Sequence, residues 1–174
     1  KVVLASRNTD KLNQLKCELA KFNEHCLVVK TDVTIEAECQ RIIQATVAQF
    51  GQIDGLINNA GISMRARFEE VDLNVLKRLM DTNFWGAVYC TKAALPYLLK
   101  AKGSLVAISS ICGITPLPGR TGYAASKHAL DGFMETVRTE NLDSGLHVLL
   151  VHPGFTNSNI RKTALNKDGV IQAE

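Results

Sequence analysis

Five short, largely apolar runs divide the sequence, and each of the first four is followed by a stretch with helical periodicity. The runs cover residues 2–5, 26–29, 53–57, 104–108 and 146–151. Continuous rather than alternating apolar residues are typical of strands in a parallel sheet with helices on both faces. The pattern therefore predicts a doubly wound parallel α/β fold.

Apolar residues between these runs recur at helical spacing, and residues suited to capping mark several helix ends. The first stripe consists of Leu12, Leu15, Leu19 and Phe22. Expected starting caps are Asn8 or Thr9, Thr34 and Asp72, and expected terminators are Gly51 and Gly145. The third helix should be long, and the fourth should run from Tyr123 to about Asp143.

Composition excludes several function classes. The 174 residues are 46% hydrophobic and 21% charged, which indicates one globular domain spanning 1–174. A net charge of +3, with Lys and Arg spread along the chain, argues against a nucleic-acid partner. No apolar run is long enough to cross a membrane, and the start lacks a secretory-signal pattern, so we expect no membrane partner and a cytoplasmic location.

The cysteines and histidines show no spacing typical of a disulfide framework or metal site. The sequence has five cysteines, with no C-x-x-C pair. We therefore expect mostly buried free thiols and no bound metal.

Small, polar and glycine residues follow each expected strand. They are Ser6-Arg7, Asp32-Val33, Asn58-Asn59-Ala60-Gly61, Ser109-Ser110 and Pro153-Gly154-Phe155. Ligands of doubly wound sheets bind at the carboxyl ends of the strands, so one sheet edge is predicted to form a dinucleotide site.

Tyr123 and Lys127 lie four residues apart at the start of the last expected helix, with Ser110 thirteen residues before Tyr123. On one helix face, the ammonium would favour the phenolate and lower the Tyr123 pKa. Alone, the spacing also suits an ordinary surface contact.

Taken in order, these motifs resemble those of the short-chain dehydrogenase/reductases over nearly the whole chain. The matching pieces are Asp32-Val33, Asn58-Asn59-Ala60-Gly61, Asn83 in residues 81–86, Ser110, Tyr123-x-x-x-Lys127 and Pro153-Gly154. The resemblance implies a Rossmann-like fold and hydride transfer between a nicotinamide cofactor and a carbonyl or alcohol.

The resemblance also implies roles for four side chains. Tyr123 would be the acid/base, and Lys127 would lower its pKa and hold the nicotinamide ribose. Ser110 would polarise the substrate carbonyl, and Asn83 would help to place a water for proton relay. Thr121 and Ser126 are interpreted as loop and helix residues.

For the cofactor, the resemblance places Asp32 and Val33 at the adenine, and Asn59, Ala60 and Gly61 near the adenosine ribose. The nicotinamide side would be lined by Pro153, Gly154, Phe155, Thr156 and Ser158. Ser6 stands where NAD-preferring folds carry an acid, and Arg7 follows it, which favours NADP(H) with NAD(H) possible. The alternative is that Arg7 is a solvated arginine.

The family's Gly-rich strand–turn unit and last strand are absent from this sequence. We expect a fragment of a longer active enzyme, in which the strands at residues 2–5 and 53–57 lack the central strand that would lie between them in the sheet. We predict that the isolated chain neither folds stably nor uses NADPH. A truncated paralogue, a non-catalytic scaffold and an epimerase-type relative remain alternatives.

The expected substrate is a small apolar carbonyl or alcohol, because apolar residues surround the site, and Arg120 is expected to be solvated. The family commonly forms dimers or tetramers through the long helices. Apolar residues beyond the needs of one sheet face agree with a homodimer or homotetramer: Trp85, Tyr89, Phe133, Met134 and Val137.

Overall fold

The structure, a computed structural model, describes residues 1–19 and 25–172, so the expectation for Phe22 lies outside the described residues. Its strands are β1 (Val2–Ser6), β2 (Cys26–Lys30), β3 (Gly55–Asn58), β4 (Ser104–Ile108) and β5 (His147–Val151). All strand pairs are parallel: β1 pairs with β2, and β3, β4 and β5 form a second sheet in that order. The predicted parallel α/β fold is confirmed.

The helices are α1 (Thr9–Glu18), α2 (Glu36–Phe50), α3 (Leu73–Met80), α4 (Gly86–Ala101) and α5 (Thr121–Glu140). A π-helical turn, Asp81–Trp85, joins α3 to α4, so the predicted long helix is continuous but locally widened and underwound at its centre. A short 3₁₀ turn, Ile111–Gly113, follows β4. None of the helices in the described ranges is long and apolar enough to cross a membrane.

The caps follow the sequence with two exceptions, Thr34 and Gly145. Helix α5 ends at Glu140 with Asn141 as its C-cap, before the predicted terminator Gly145. Asn8 caps α1, Asp72 caps α3, and Gly51 ends α2 at a φ of 81°. Thr34 does not cap α2, because its backbone N–H and hydroxyl both donate to the Asp32 carboxylate, at 3.0 and 2.8 Å. The α2 N-cap is therefore Ile35, which makes no side-chain capping bond.

Two apolar cores hold the elements together. One packs α2, α4 and α5 against the β3–β5 sheet, around Leu98, Leu105 and Met134. The other packs α3 and the start of α5 around Leu79, Tyr123 and Leu165. Met134 and Val137 are buried in the first core. These two of the five apolar residues predicted to be in excess of what covers the sheet are therefore part of the core.

One face of the three-stranded sheet is open, which corrects the expectation that helices cover both faces. Ile57, Val106 and Leu149 are paired neighbours across β3, β4 and β5. Ile57 is 64% exposed and Leu149 is 53% exposed. Within the described residues, no strand joins β1 to β3, as expected. The poor stability of the isolated chain stays a prediction, which urea unfolding tests.

Candidate functional site

The π turn places Asn83 inside the protein, where it is 1% exposed. Its Oδ1 accepts a 2.8 Å hydrogen bond from the backbone N–H of Ile62. Its Nδ2 donates to the Ile62 carbonyl at 3.0 Å and to the Ser126 hydroxyl at 2.9 Å. The amide therefore joins the long helix to the loop after β3 and to α5. A π turn within an α-helix is frequent at functional sites.

Tyr123 lies in the first turn of α5, which begins two residues earlier than the sequence indicated, at Thr121. The ring is buried in the second core beside Cys112 and Leu165. Ser110, the N-cap of the 3₁₀ turn after β4, lies beside the Tyr123 phenol and acts to lower its pKa. The structure thus brings the predicted Ser110–Tyr123 pair together.

Lys127 is 2% exposed and one turn beyond Tyr123 on the same helix face. Its Nζ donates a 2.8 Å hydrogen bond to the Ile108 carbonyl at the end of β4. The same atom lies 5.9 Å from the centroid of the Tyr123 ring. The ammonium therefore lies over the ring face of the tyrosine.

Burial is the largest influence on the pKa of both Lys127 and Tyr123. Burial lowers the pKa of Lys127 to about 8, and the Asp131 carboxylate opposes that shift. Burial raises the pKa of Tyr123 from 10.0, although the Ser110 side chain and the Arg120 charge act in the lowering direction. The predicted net lowering of the Tyr123 pKa by Lys127 is therefore wrong for this structure, because desolvation of the phenol outweighs the favourable contacts.

Ser6, Arg7, Asp32 and Val33 lie at the carboxyl ends of the adjacent strands β1 and β2. The Arg7 guanidinium is 72% exposed and 4.0 Å from the Asp32 carboxylate. Burial raises the pKa of Asp32, but hydrogen bonds from Thr34 and the Arg7 charge prevail and lower it. The site thus keeps an ionised acid beside a cation that is free to contact an exposed ligand.

Val33 lies directly against the start of α4. A Cβ on Gly86 would lie 2.8 Å from Val33 Cγ2 and 2.9 Å from Val33 Cβ, which no real Cβ tolerates. The glycine is therefore needed for the close approach of the long helix to the loop after β2. This contact links the expected adenine site to the helix that carries Asn83.

The loop after β3 lies beside the catalytic candidates. Asn59 and Ala60 are exposed, whereas Gly61 faces inward. A Cβ on Gly61 would lie 3.4 Å from Asn83 Oδ1 and 3.6 Å from Lys127 Nζ. Gly61 is therefore brought together with Asn83 and Lys127, and its small size keeps that corner open.

The loop after β5 is only partly joined to this cluster. The Pro153 carbonyl accepts a 3.1 Å hydrogen bond from the backbone N–H next to Ser110, that of Ile111. Gly154, Thr156 and Ser158 are exposed, and Phe155 is 83% exposed with its ring 5.7 Å from the Arg161 guanidinium. Thr156 donates a hydrogen bond only to its neighbour, the Gly154 carbonyl, at 3.4 Å. Within the described residues, no side-chain hydrogen bond joins Phe155, Thr156 or Ser158 to Ser110, Tyr123 or Lys127.

The predictions for Arg120 and Thr121 were wrong, and the environment of Ser126 was not predicted. Thr121, interpreted as a loop residue, is the first residue of α5. Arg120, expected to be solvated, is half-buried, and its guanidinium donates to the Ser63 hydroxyl at 2.7 Å and to the Met64 carbonyl. Ser126, interpreted as a helix residue, does lie in α5 but is wholly buried and donates to the Tyr123 carbonyl at 2.8 Å. A serine at an inward-facing helix position was the signal that sequence offered for Ser126.

Comparison with protein families matches residues 1–169 to the family described as short chain dehydrogenase. The chain is 38% identical over 162 residues to "11-beta-hydroxysteroid dehydrogenase 1A" of Arabidopsis thaliana, covering 91% of this chain and 46% of that protein. The chain thus spans about half the length of the curated relatives it matches.

Solved structures with a similar fold lead to the same family. A short chain dehydrogenase/reductase of Burkholderia phymatum in complex with NAD is 26% identical with a TM-score of 0.88, over 92% of this chain and 59% of that one. ElxO with NADP bound is 32% identical with a TM-score of 0.83, over 88% of this chain and 63% of that one.

Proposed function

This chain belongs to the short-chain dehydrogenase/reductase family, and we propose that it forms the catalytic part of an NADP(H)-dependent oxidoreductase acting on a carbonyl or alcohol. The observation that carries the proposal is the buried cluster in which Tyr123, Ser110, Lys127 and Asn83 converge at the carboxyl end of β4. A purely structural role gives no reason to bury an ammonium and a phenol beside a polar amide.

The residues present fit one end of a nicotinamide cofactor. Lys127 supplies a buried cation at the sheet edge, and the glycine at position 61 leaves the space beside its Nζ open. Lys127 would hold the ribose hydroxyls, with Pro153 and Gly154 on the nicotinamide side. Asp32 and Val33 would contact the adenine, and Asn59 and Ala60 the adenosine ribose. When bound, the cofactor supplies or accepts the hydride.

The protein's own contribution is proton transfer and orientation. In the reductive direction, Tyr123 donates its phenolic proton to the substrate oxygen, and the raised pKa keeps that proton in place at neutral pH. Ser110, which lies beside the same hydroxyl, donates a hydrogen bond to the substrate oxygen as negative charge develops. Asn83 holds the loop after β3 in position through Ile62 and, in this proposal, helps to place the water that returns a proton.

Arg7 carries the preference for NADP(H). Its exposed guanidinium follows β1, where a 2′-phosphate of the adenosine is expected in this fold. An arginine binds a phosphate through paired hydrogen bonds, whereas the ribose hydroxyls of NAD(H) would find Ser6 in place of the usual acid. The relatives include structures with either cofactor, so NAD(H) remains the competitor in the test.

The substrate we propose is apolar, because the Tyr123 side of the site is built on Met64, Cys112 and Leu165. Relatives named as hydroxysteroid dehydrogenases support an apolar alcohol or ketone. The half-buried Arg120 beside Tyr123 adds one cation to this wall.

We also propose a homodimer or homotetramer formed through α3, α4 and α5. Phe68 and Leu73 are exposed near the start of α3, and Trp85 is exposed and stacked on Tyr89. An open apolar pocket of about 350 Å³ lies on the same surface, lined by Phe68, Leu76, Met80, Thr121, Gly122 and Ala125. Exposed apolar surface of this kind marks an interaction site.

An NADPH-consumption screen over aldehydes and ketones, with the complete protein, tests the proposal. The wild type should turn over an apolar carbonyl, and Tyr123→Phe should lose at least about a hundredfold in kcat. The matched control is Tyr97→Phe on α4, which should keep wild-type activity. Activity that survives Tyr123→Phe would remove this mechanism, and NADPH binding without turnover of any carbonyl would favour the scaffold alternative.

A further inference from the structure

A buried carboxylate lies one turn beyond Lys127. Asp131 is on the same face of α5, and its side chain is 15% exposed. Its Oδ2 lies 2.8 Å from Nε2 of His152, the first residue after β5. Within the described ranges, Asp131 Oδ1 is buried without a hydrogen-bond partner. Only one oxygen of the carboxylate is thus hydrogen-bonded within the described part of the chain.

The turn that carries Ser110 packs directly on this carboxylate. A Cβ on Gly113 would clash with Asp131 Oδ2 and would lie 2.8 Å from the Ser109 hydroxyl. The Ser109 hydroxyl is likewise buried with no partner in the described part of the chain. Only a glycine at position 113 permits this approach, so the backbone of the turn after Ser110 is held against Asp131 at Gly113.

Asp131 therefore touches the three elements that form the site. It shares α5 with Tyr123 and Lys127, it contacts the turn after Ser110, and through His152 it meets the chain that continues into Pro153. It is also the charged group that acts to raise the pKa of Lys127 against burial. None of the motifs that predicted the site includes Asp131 or His152.

We propose that Asp131 is a positioning residue for the catalytic centre, keeping Lys127 charged and, through His152, holding the loop after β5 in register with α5. The proposal rests on the function proposed above. An asparagine at position 131 keeps the shape and the hydrogen bond to His152 but removes the charge. Asp131→Asn therefore separates a role of the negative charge from a purely structural role of the hydrogen bond.

The neighbouring titratable groups matter to any pH effect. They are Tyr123 and Lys127 on α5, Arg120 at its start, Cys112 on the 3₁₀ turn and His152 after β5. The titration of Lys127 must therefore be observed directly rather than inferred from activity alone.

The test uses the complete protein without cofactor, labelled with ¹³Cε-lysine and titrated by NMR, with the Lys127 signal assigned through Lys127→Arg. We expect Asp131→Asn to lower the Lys127 midpoint by about one pH unit, the size of a typical effect of one nearby charge. The alkaline limb of kcat/KM should move in the same direction. The control is Asp143→Asn, which removes an exposed carboxylate just beyond α5 and should move neither.

His152 is tested separately. His152→Ala should weaken NADPH binding roughly tenfold, because the loop after β5 loses its tie, whereas His152→Gln, which keeps a donor, should recover most of it. Should Asp131→Asn fail to fold, the smaller neutral variant Asp131→Ser takes its place with the same expectation.

An unchanged Lys127 midpoint in the neutral variant overturns the proposal, as does equal NADPH binding by His152→Ala and the wild type. The NMR midpoint needs no substrate. Failure of the proposed function would therefore appear as missing turnover by the wild type, with the midpoint shift intact.

Discussion

The side-chain amide of Asn83 donates a 2.9 Å hydrogen bond to the hydroxyl of Ser126. That hydroxyl in turn donates to the Tyr123 carbonyl at 2.8 Å. A single buried oxygen thus connects the π turn of the long helix to the helix turn that holds the tyrosine. The positions of Asn83 and Tyr123 are consequently not independent, and Ser126 sets the distance between them.

Ser126→Ala should destabilise the complete protein by about 1–3 kcal/mol, because it leaves one donor of the buried Asn83 amide unpaired. Urea unfolding measures the change. Thr136→Ala on the same helix is the control, since its exposed hydroxyl bonds only to its own helix backbone. Equal stability of the two variants would mean that the Asn83–Ser126 bond contributes nothing.

Gly86→Ala should weaken NADPH binding about tenfold, because the new methyl group would displace Val33 from the expected adenine site. Fluorescence titration with NADPH measures the dissociation constant. In Gly132→Ala, the control on α5, the added methyl group meets nothing within 4 Å. The control should bind normally and gain slightly in stability. Normal binding by Gly86→Ala would separate Val33 from the cofactor site.

Arg7→Ala should raise the dissociation constant of NADPH about 10- to 100-fold and leave that of NADH unchanged, since the lost contact is a charge-assisted bond to the 2′-phosphate. Parallel titrations with both cofactors give the two constants. Arg67→Ala, which removes an exposed arginine paired with Glu69, should change neither. If Arg7→Ala leaves both constants as they were, Arg7 is a solvated residue and NADP(H) specificity has another source.

The pH dependence of kcat/KM should show an alkaline limb near pH 8. Burial depresses the Lys127 pKa from 10.5 to about 8, so the ammonium is present below that value and is lost as the pH rises through it. Tyr123 remains protonated there because its pKa is raised. Lys127→Arg should move the limb to higher pH, since guanidinium stays charged. A wild-type profile that is flat from pH 7 to 10 would contradict a role for charged Lys127.

The strand positions were accessible from sequence because buried parallel strands need near-continuous apolar runs. Strands β1, β2, β4 and β5 lie within one residue of their predicted limits, whereas β3 begins at Gly55 rather than at Ile53. The open face across Ile57, Val106 and Leu149 was not predicted, since an apolar run does not reveal which of its faces has a helix against it.

The convergence of Ser110, Tyr123 and Lys127 followed from motif spacing, which fixes relative position along a helix and a strand end. The contacts of Arg120, Ser126 and Asp131 could not be predicted from motif spacing. They join segments tens of residues apart or depend on burial. Arg120, for example, bonds to Ser63 across 57 positions of the chain. The predicted direction of the Tyr123 pKa shift was wrong for the same reason, because desolvation depends on the packed core rather than on the Tyr–Lys spacing.

The most direct test of hydride transfer at this site uses NADPH with deuterium at both C4 positions and a carbonyl substrate found in the screen. Mass spectrometry of the alcohol measures deuterium at the former carbonyl carbon. We predict one deuterium per product molecule from the wild-type complete protein and from Tyr97→Phe, and at least about a hundredfold slower product formation by Tyr123→Phe. Equal rates of deuterated product from Tyr123→Phe and the wild type would contradict the account.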